Sequence, residues 1–361
     1  MNLRAAFDIP VPTVVLAEGD FGQKGGKTAN GVVMHSELFD TVAVVDSKTA
    51  GRTIADVLDT EHADDAPIVA TMEEALRRAP EAEALVIGVA PAGGQLPSAW
   101  THDIRAAMAH GCDVVSGLHT FLSEDPEWQR LEDEHGVTIH DVRKPPASED
   151  LSVGDGSIDD IDVPVVLTMG TDCAVGKRTT TFELYRAARK RGINAGWVGT
   201  GQTGVMVGAH RGVVIDRVPS DFAAGVVEEL VIDAAADHDL VFVEGQASLS
   251  HRAYSGVTLS ILHGAWPDAV VLADEPARDY RTHFEQFPVA GVDHEIDAIE
   301  HLAETSVAAI STWGDPETAT VDHGLPAGNV LEDGGPNRIL DAVLESVTVS
   351  DDRSVTEEVE P

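Results

Sequence analysis

The sequence is short of sulfur, of positive charge and of long apolar runs, and each shortage removes a class of protein. Its two cysteines, Cys112 and Cys173, lie far apart and fit neither a disulfide framework nor a paired-thiol metal site. His263 and His283 show no metal-ligand spacing, so no metal is expected. No stretch reaches the roughly 18 consecutive apolar residues that a membrane helix needs, and no basic-then-apolar leader opens the chain. Neither a membrane span nor a secretory signal is indicated, and a cytoplasmic location is expected. Basic residues number 24 against 62 acidic ones, a formal charge of -38, which argues against nucleic acid as a partner because phosphate backbones attract Lys and Arg. A salt-adapted, halophilic origin explains that charge most simply: at molar salt the Debye length is about 3 Å, and dense surface carboxylates hardly repel one another.

What is present gains meaning from what is missing. Lysine occurs only at Lys24, Lys27, Lys48, Lys144, Lys177 and Lys190, and three of these six sit in two glycine-rich loops, "AEGDFGQKGGKTANG" and "MGTDCAVGKRTT". With 361 residues, 43% of them hydrophobic, the chain has material for two domains of ordinary size. Apolar runs at Thr13–Ala17, Thr41–Val45, Pro67–Ala70, Ala84–Ala90, Asp113–Ser116 and Thr138–Val142 alternate with helical patterns at Met72–Arg78, Ser98–His110 and Pro126–His135. Such alternation predicts a parallel sheet covered by helices. This α/β domain is expected over residues 1–145. Residues 146–162, rich in Pro, Gly and acids, read as a linker longer than most connections inside a domain. A second α/β domain is expected over 163–348, with strands at Val163–Met169, Asn194–Val198, Leu240–Glu244 and Ala269–Leu272 and helices at Lys177–Arg191 and Asp221–Ala236. Residues 349–361 read as a disordered acidic tail.

The loop after the strand Val163–Met169 carries the clearest chemistry. Backbone N–H groups at a helix N-terminus lack helical partners and favour anions. Glycines let that backbone close around phosphate oxygens, and a lysine adds a full charge. In "GTDCAVGKRTT", Gly176 and Lys177 stand at the helix start, but Gly170 lies one residue farther from the lysine than in the usual phosphate loop. Where a nucleotide hydrolase places a metal-holding hydroxyl after the lysine, this chain has Arg178, followed by Thr179. Lysine and arginine without that hydroxyl suit a diphosphate that is bound rather than cleaved.

The Gly-Thr-Asp-x-x-Val-Gly-Lys spacing resembles dethiobiotin synthetase and its P-loop relatives. The wider set "MGTDCAVGKRTT", "GTGQTGVMVGAH", "SDFAAGVVEELV" and "VEGQASLSHRAYSGVTLSILHGAWPDAVVL", with "KTANGVV", "VIGVAPAGGQLP", "VSGLHTFL" and "DVRKPP" upstream, resembles a two-domain P-loop family that includes a D-glutamate N-acetyltransferase. The resemblance implies an N-terminal Rossmann-like domain, a C-terminal P-loop domain, mostly parallel sheets, and acetyl transfer from acetyl-CoA to the amine of D-glutamate.

Under that expectation Gly170, Thr171, Asp172, Gly176, Lys177, Arg178 and Thr179 hold the cofactor's phosphates. Acetylating an amino acid needs a base for its ammonium, and Glu244 or His251, in "VFVEGQASLSH", is expected to supply it. Gln202, Thr203, Asp221, Gln246 and Lys27 are candidate substrate-binding residues, with Asp221 equally suited to cap the helix that follows it. Cys173 reads either as an acyl-carrying thiol or, more simply, as a small residue in a tight loop. Arg211, Arg252 and Arg278 are candidates to receive the substrate carboxylates. Asp46, ending a strand near the first loop, has the position of a ribose-binding acid without the full glycine fingerprint. Two other functions stay open: an ATP- and Mg-dependent ligase or kinase of the dethiobiotin-synthetase type, and a non-catalytic nucleotide-binding regulator. A small-molecule substrate is expected in any case, and a homo-oligomer stays open.

Overall fold

In the computed structural model, which describes residues 2–58, 66–89, 91 and 93–354, the chain forms two compact units. One comprises Met1–Pro145 with Gln202–Ala209, the other Pro146–Gly201 with His210–Pro361.

The first unit holds a six-stranded sheet: β1 (Val11–Leu16), β2 (Phe39–Val45), β3 (Ile68–Val69), β4 (Ala84–Ile87), β5 (Asp113–Ser116) and β6 (Ile139–Asp141). All neighbours pair in parallel, in the order β3-β2-β1-β4-β5-β6 of a Rossmann-type sheet. The helices expected at Met72–Arg78 and Pro126–His135 have those bounds, and each is started by a side-chain cap, Thr71 accepting from the Glu74 N–H and Asp125 from that of Glu127. The strand expected over Ala84–Ala90 stops at Ile87, and Ala90 lies outside the described residues.

The second unit is built on seven parallel strands: β7 (Val165–Gly170), β8 (Ala195–Gly199), β9 (Arg211–Gly212), β10 (Leu240–Glu244), β11 (Ala269–Asp274), then, beyond a small antiparallel hairpin of β12 (Tyr280–Arg281) and β13 (Phe284–Pro288), β14 (Ser306–Thr312) and β15 (Ala327–Gly328). Their order is β15-β14-β11-β7-β10-β8-β9. Every residue of β7, β10 and β11 is buried, as expected of strands covered on both faces. These strands are parallel, so the loops following β7, β10, β11 and β14 emerge at one carboxyl edge, and open α/β sheets bind ligands at that edge where chain order reverses, as it does around β7.

Two boundaries differ from the sequence reading. Residues 146–162 are packed into the second unit: Ile158 joins its core, and a Cβ on Gly225 would lie 2.3 Å from the Ser152 carbonyl oxygen. The buried Glu228 carboxylate clamps this segment by accepting from the backbone N–H groups of Gly156 at 2.9 Å, Asp155 at 3.0 Å and Ile158 at 3.3 Å. At the other end the last helix, Gly335–Ser354, runs past residue 349, continuing beyond the buried turn of Val343 and Val347; residues 355–361 of the expected tail lie outside the described residues. No helix among the described residues is long and apolar enough to cross a membrane.

Glu228→Ala leaves three clamped N–H groups without their acceptor. It should lower unfolding stability by about 2–3 kcal/mol in urea titrations and open residues 146–162 to limited proteolysis. An unchanged midpoint together with an uncut segment would contradict the clamp.

Candidate functional site

The carboxyl edge of the second sheet gathers the phosphate loop and its supports. The helix Lys177–Lys190 opens at Gly176, which has φ 97° and brings no side-chain cap, so the first-turn N–H groups face outward without an internal acceptor. A Cβ on Gly176 would meet the Trp313 ring at 2.6 Å. Ala174 also takes a left-handed conformation, φ 56°, which costs a non-glycine residue about 1–2 kcal/mol and is tolerated because its surroundings are fixed.

What fixes them is the Asp172 carboxylate, which is fully buried. It accepts from Arg278 at 3.1 Å, Arg281 at 3.3 Å and the Thr282 N–H at 3.1 Å. Arg281, itself 2% exposed, also reaches the Thr171 carbonyl at 3.2 Å and the hydroxyls of Ser248 at 2.9 Å and Ser250 at 2.7 Å. Ser250 continues the network to the buried Glu295, which further accepts from the Leu249 and Ser250 N–H groups. Arg278 donates to the Cys173 and Ala174 carbonyls, while Thr171 donates to Asp274 at 2.7 Å. Burial pushes the Asp172 carboxyl up, but the Thr282 and Cys173 N–H groups and the two guanidiniums hold it below its ordinary value.

Lys177 is nearly buried and donates to the Asp172 carbonyl; burial, against the attraction of Cys173 and Asp172, pushes its ammonium down to about 8. Glu244, ending β10, is buried with one carboxylate oxygen, Oε2, lacking any partner among the described residues. Burial pushes its carboxyl up to about 7, opposed by Arg178, the Thr200 N–H and Lys177. Arg178 is half-buried and makes no hydrogen bond among the described residues; burial lowers its pKa and the charge of Glu244 opposes that. The Thr179 hydroxyl is likewise unengaged there, whereas Thr180 and Thr181 are committed to Ser311 and the Lys177 carbonyl.

Gly170, Thr171, Asp172, Gly176, Lys177, Arg178, Thr179 and Glu244 therefore come together. His251 lies in the same unit but is fully buried, its ring against those of Tyr254 at 4.8 Å and Phe284 at 5.3 Å. Its Nδ1 accepts from the Ala253 N–H at 3.2 Å, so in the neutral ring Nε2 carries the proton and has no lone pair for a base. Burial and the Arg281 charge lower its pKa, against the opposing pull of Asp172. That tautomer favours Glu244 over His251 as the base. The same tautomer gives Cys173 no base, and burial raises its thiol pKa, which favours the small-residue reading. Asp172, Cys173 and His251 place ligand-capable atoms within 4.8 Å of one another, but the two guanidiniums on Asp172 oppose a cation there.

The substrate-binding candidates divide between the units. Gln246 donates to the Thr200 carbonyl at 2.8 Å in the second. Asp221 is exposed in the first turn of the helix Ser220–Ala235 rather than at its cap, because that helix starts one residue earlier than the sequence suggests. Gln202 and Thr203 belong to the first unit, bonded to Arg143 and Thr28, and Lys27 is exposed at a helix start there. Also in the first unit, a cavity of about 670 Å³ is lined by residues including Gly19, Asp20, Asp46 and Lys48. Asp46 accepts from the Gly19 and Lys48 N–H groups and the Thr49 hydroxyl, contacts that prop the loop. Among the arginines, Arg211 is tied to Asp233 and Asp237, Arg278 to the loop, and Arg252 lies over the Phe287 ring at 4.6 Å with no hydrogen bond among the described residues. Nothing in the sequence marks Arg281, Glu295 or Asp274 as part of the site, and for Trp313 the signal is the apolar β14 that precedes it.

Comparison with known proteins identifies both domains. Residues 152–336 match a P-loop domain of unknown function, DUF1611_C, and residues 47–145 a Rossmann-like domain of unknown function, DUF1611_N. A D-glutamate N-acetyltransferase from Tritonibacter scottomollicae is 39% identical over 66% of this chain and 67% of its own length. Another, from a Pseudoalteromonas species, is 37% identical over 63% of this chain and 65% of its own. The crystal structure of a DUF1611 family protein from Anabaena variabilis superposes with a TM-score of 0.84 at 32% identity, covering 93% of this chain and 99% of that one.

Asp172 anchors two buried guanidiniums, and Asp172→Asn should destabilise the protein by about 3 kcal/mol near neutral pH. Because the folded pKa lies below the unfolded value of about 3.9, the wild-type contribution is full above that value and disappears as pH falls through the folded pKa. Denaturation titrations across the acid range should show the stability gap between wild type and variant closing; a constant gap would refute the charge role.

Proposed function

The chain belongs to the DUF1611 family, and on that premise we propose that it is an N-acetyltransferase moving the acetyl group of acetyl-CoA to the amine of an acidic amino acid, D-glutamate first among them. The relatives' names suggest the reaction. The observation in this chain that carries it is a guanidinium with no hydrogen bond among the described residues, Arg178, interacting at a phosphate loop with a buried carboxyl, Glu244, one of whose oxygens also lacks a partner there.

In this reading the coenzyme's diphosphate lies on the N–H groups of the loop Gly170–Thr179, with Lys177 and Arg178 supplying charge. Glu244 takes a proton from the substrate ammonium. The freed amine attacks the thioester carbonyl, the amide forms as the carbon–sulfur bond breaks, and the coenzyme leaves as a thiolate that takes up a proton. Gln246, whose amide nitrogen donates to the Thr200 carbonyl at 2.8 Å and at 3.4 Å to the Thr200 hydroxyl, would turn the longer of these bonds to the oxyanion. Glu244 ends β10 at the same sheet edge as the loop. That adjacency also favours a second arrangement, in which the loop receives the amino acid's own carboxylates and Arg178 is a substrate residue.

The assay follows free-thiol release from acetyl-CoA with a panel of D- and L-amino acids, beside phosphate release from Mg-ATP. Thiol release with D-glutamate is expected; phosphate release alone would establish the ATP-dependent alternative, and binding without turnover the regulator. Glu244→Gln should lower kcat by about 10²–10⁴-fold while keeping coenzyme binding. The wild-type kcat/KM should rise with pH through about 7, where Glu244 of the free enzyme loses its proton; a limb unmoved by E244Q would assign the base elsewhere. Arg178→Ala should raise KM for acetyl-CoA about tenfold or more. A rise confined to the amino acid would give the loop to the substrate carboxylates.

A further inference from the structure

Trp313 stands immediately after β14, beside the phosphate loop, and no role above uses it. Its indole Nε1 donates to the Val175 carbonyl at 2.7 Å, its backbone N–H donates to the Asp274 carbonyl at 3.0 Å, and its ring edge rests against Gly176. The turn beyond it is fixed as well, the Gly314 N–H donating to the Thr312 hydroxyl and Asp315 capping the next helix. Yet 46% of Trp313 is exposed, whereas Trp100, Trp128 and Trp197 are buried. The residue is thus held rigidly with its only polar atom satisfied, and what it offers outward is a bare aromatic surface.

A base joined to a diphosphate through one ribose lies within reach of a side chain that touches the loop itself. We propose that Trp313 is the stacking wall for the adenine of an adenosine-bearing ligand whose diphosphate occupies the loop Gly170–Thr179; this rests on the loop placement in the proposed function but not on acetyl transfer. A neutral, flat base also suits a wall in a chain of formal charge -38, since stacking needs no cationic partner.

Calorimetric titrations of the full chain with coenzyme A, ADP and inorganic pyrophosphate test this. Trp313→Ala should weaken coenzyme A and ADP by about tenfold or more, Trp313→Phe should retain most of the affinity, and pyrophosphate should bind wild type and both variants alike. If Trp313 only buttressed the loop through Val175, all three ligands would weaken together and the proposal would fall. It would fall equally if W313A bound every ligand as wild type does, or if wild type bound no pyrophosphate or no adenine compound. Trp313-dependent binding of ADP without any binding of coenzyme A would keep the wall and overturn the acetyl-CoA reading instead.

Discussion

The candidate site depends on one buried carboxylate. Asp172 sits inside the phosphate loop with both oxygens engaged, and through Arg278 and Arg281 it ties that loop to segments more than one hundred residues away. A buried ion pair contributes little net stability when replaced as a unit, but removing one partner strands the other. Here the stranded groups would be two arginines, one of which also holds Ser248 and Ser250. The arrangement stabilises a backbone that local preference disfavours: Ala174 and Gly176 both have positive φ, and the carbonyls of Thr171, Cys173 and Ala174 are each held by a guanidinium donor. Charge spent on the scaffold is thereby separated from charge left for ligand. Arg278 and Arg281 are consumed, while Arg178 makes no hydrogen bond among the described residues.

The parts of this design that are local could be read from sequence. Strands flanked by glycine and proline, helices opened by Thr71 or Asp125, and the Gly-Thr-Asp-x-x-Val-Gly-Lys spacing each depend on neighbours a few residues apart. The linker reading failed for the opposite reason. A stretch of Pro, Gly and acids looks the same whether it hangs in solvent or is clamped, and the clamp, Glu228, lies 70 to 73 residues downstream. Residues Gln202–Ala209 joined the first unit although the sequence around them belongs to the second, a change no composition shift marks. Asp172 was read as a phosphate-loop residue, but its role as anchor became visible only once Arg281 was placed 3.3 Å away. His251 shows the limit for residue types: its chemistry turned on which ring nitrogen accepts from Ala253, a contact the sequence does not contain.

The scarcity of lysine becomes physically sensible at this edge. Surface charges in an acidic chain are screened and individually worth little, whereas a cation at a helix N-terminus under partial burial acts through a lower effective dielectric. Lys177 is held where burial weakens its proton affinity, and two neighbouring acids, Asp172 and Glu244, oppose that loss. An anion arriving at the loop would do the same more strongly, so ligand binding and protonation of Lys177 favour each other. By the same linkage the anion opposes ionisation of Glu244, which Arg178 and Lys177 promote.

That opposition constrains any chemistry done by Glu244. With the loop empty, its carboxyl stands balanced between burial and two cations. With a diphosphate neutralising those cations, the balance tips toward the protonated acid, a poorer base but a competent donor. With a single carboxylate on the loop, less cationic charge is cancelled and Glu244 remains the better base. The two placements considered for the loop therefore differ in more than occupancy. If coenzyme phosphates lie there, the ammonium brought by the substrate has to restore the positive charge that Glu244 needs in order to ionise, which couples deprotonation to the arrival of the second substrate. If substrate carboxylates lie there, amine and carboxylate come as one molecule, and the base is set as soon as that molecule binds.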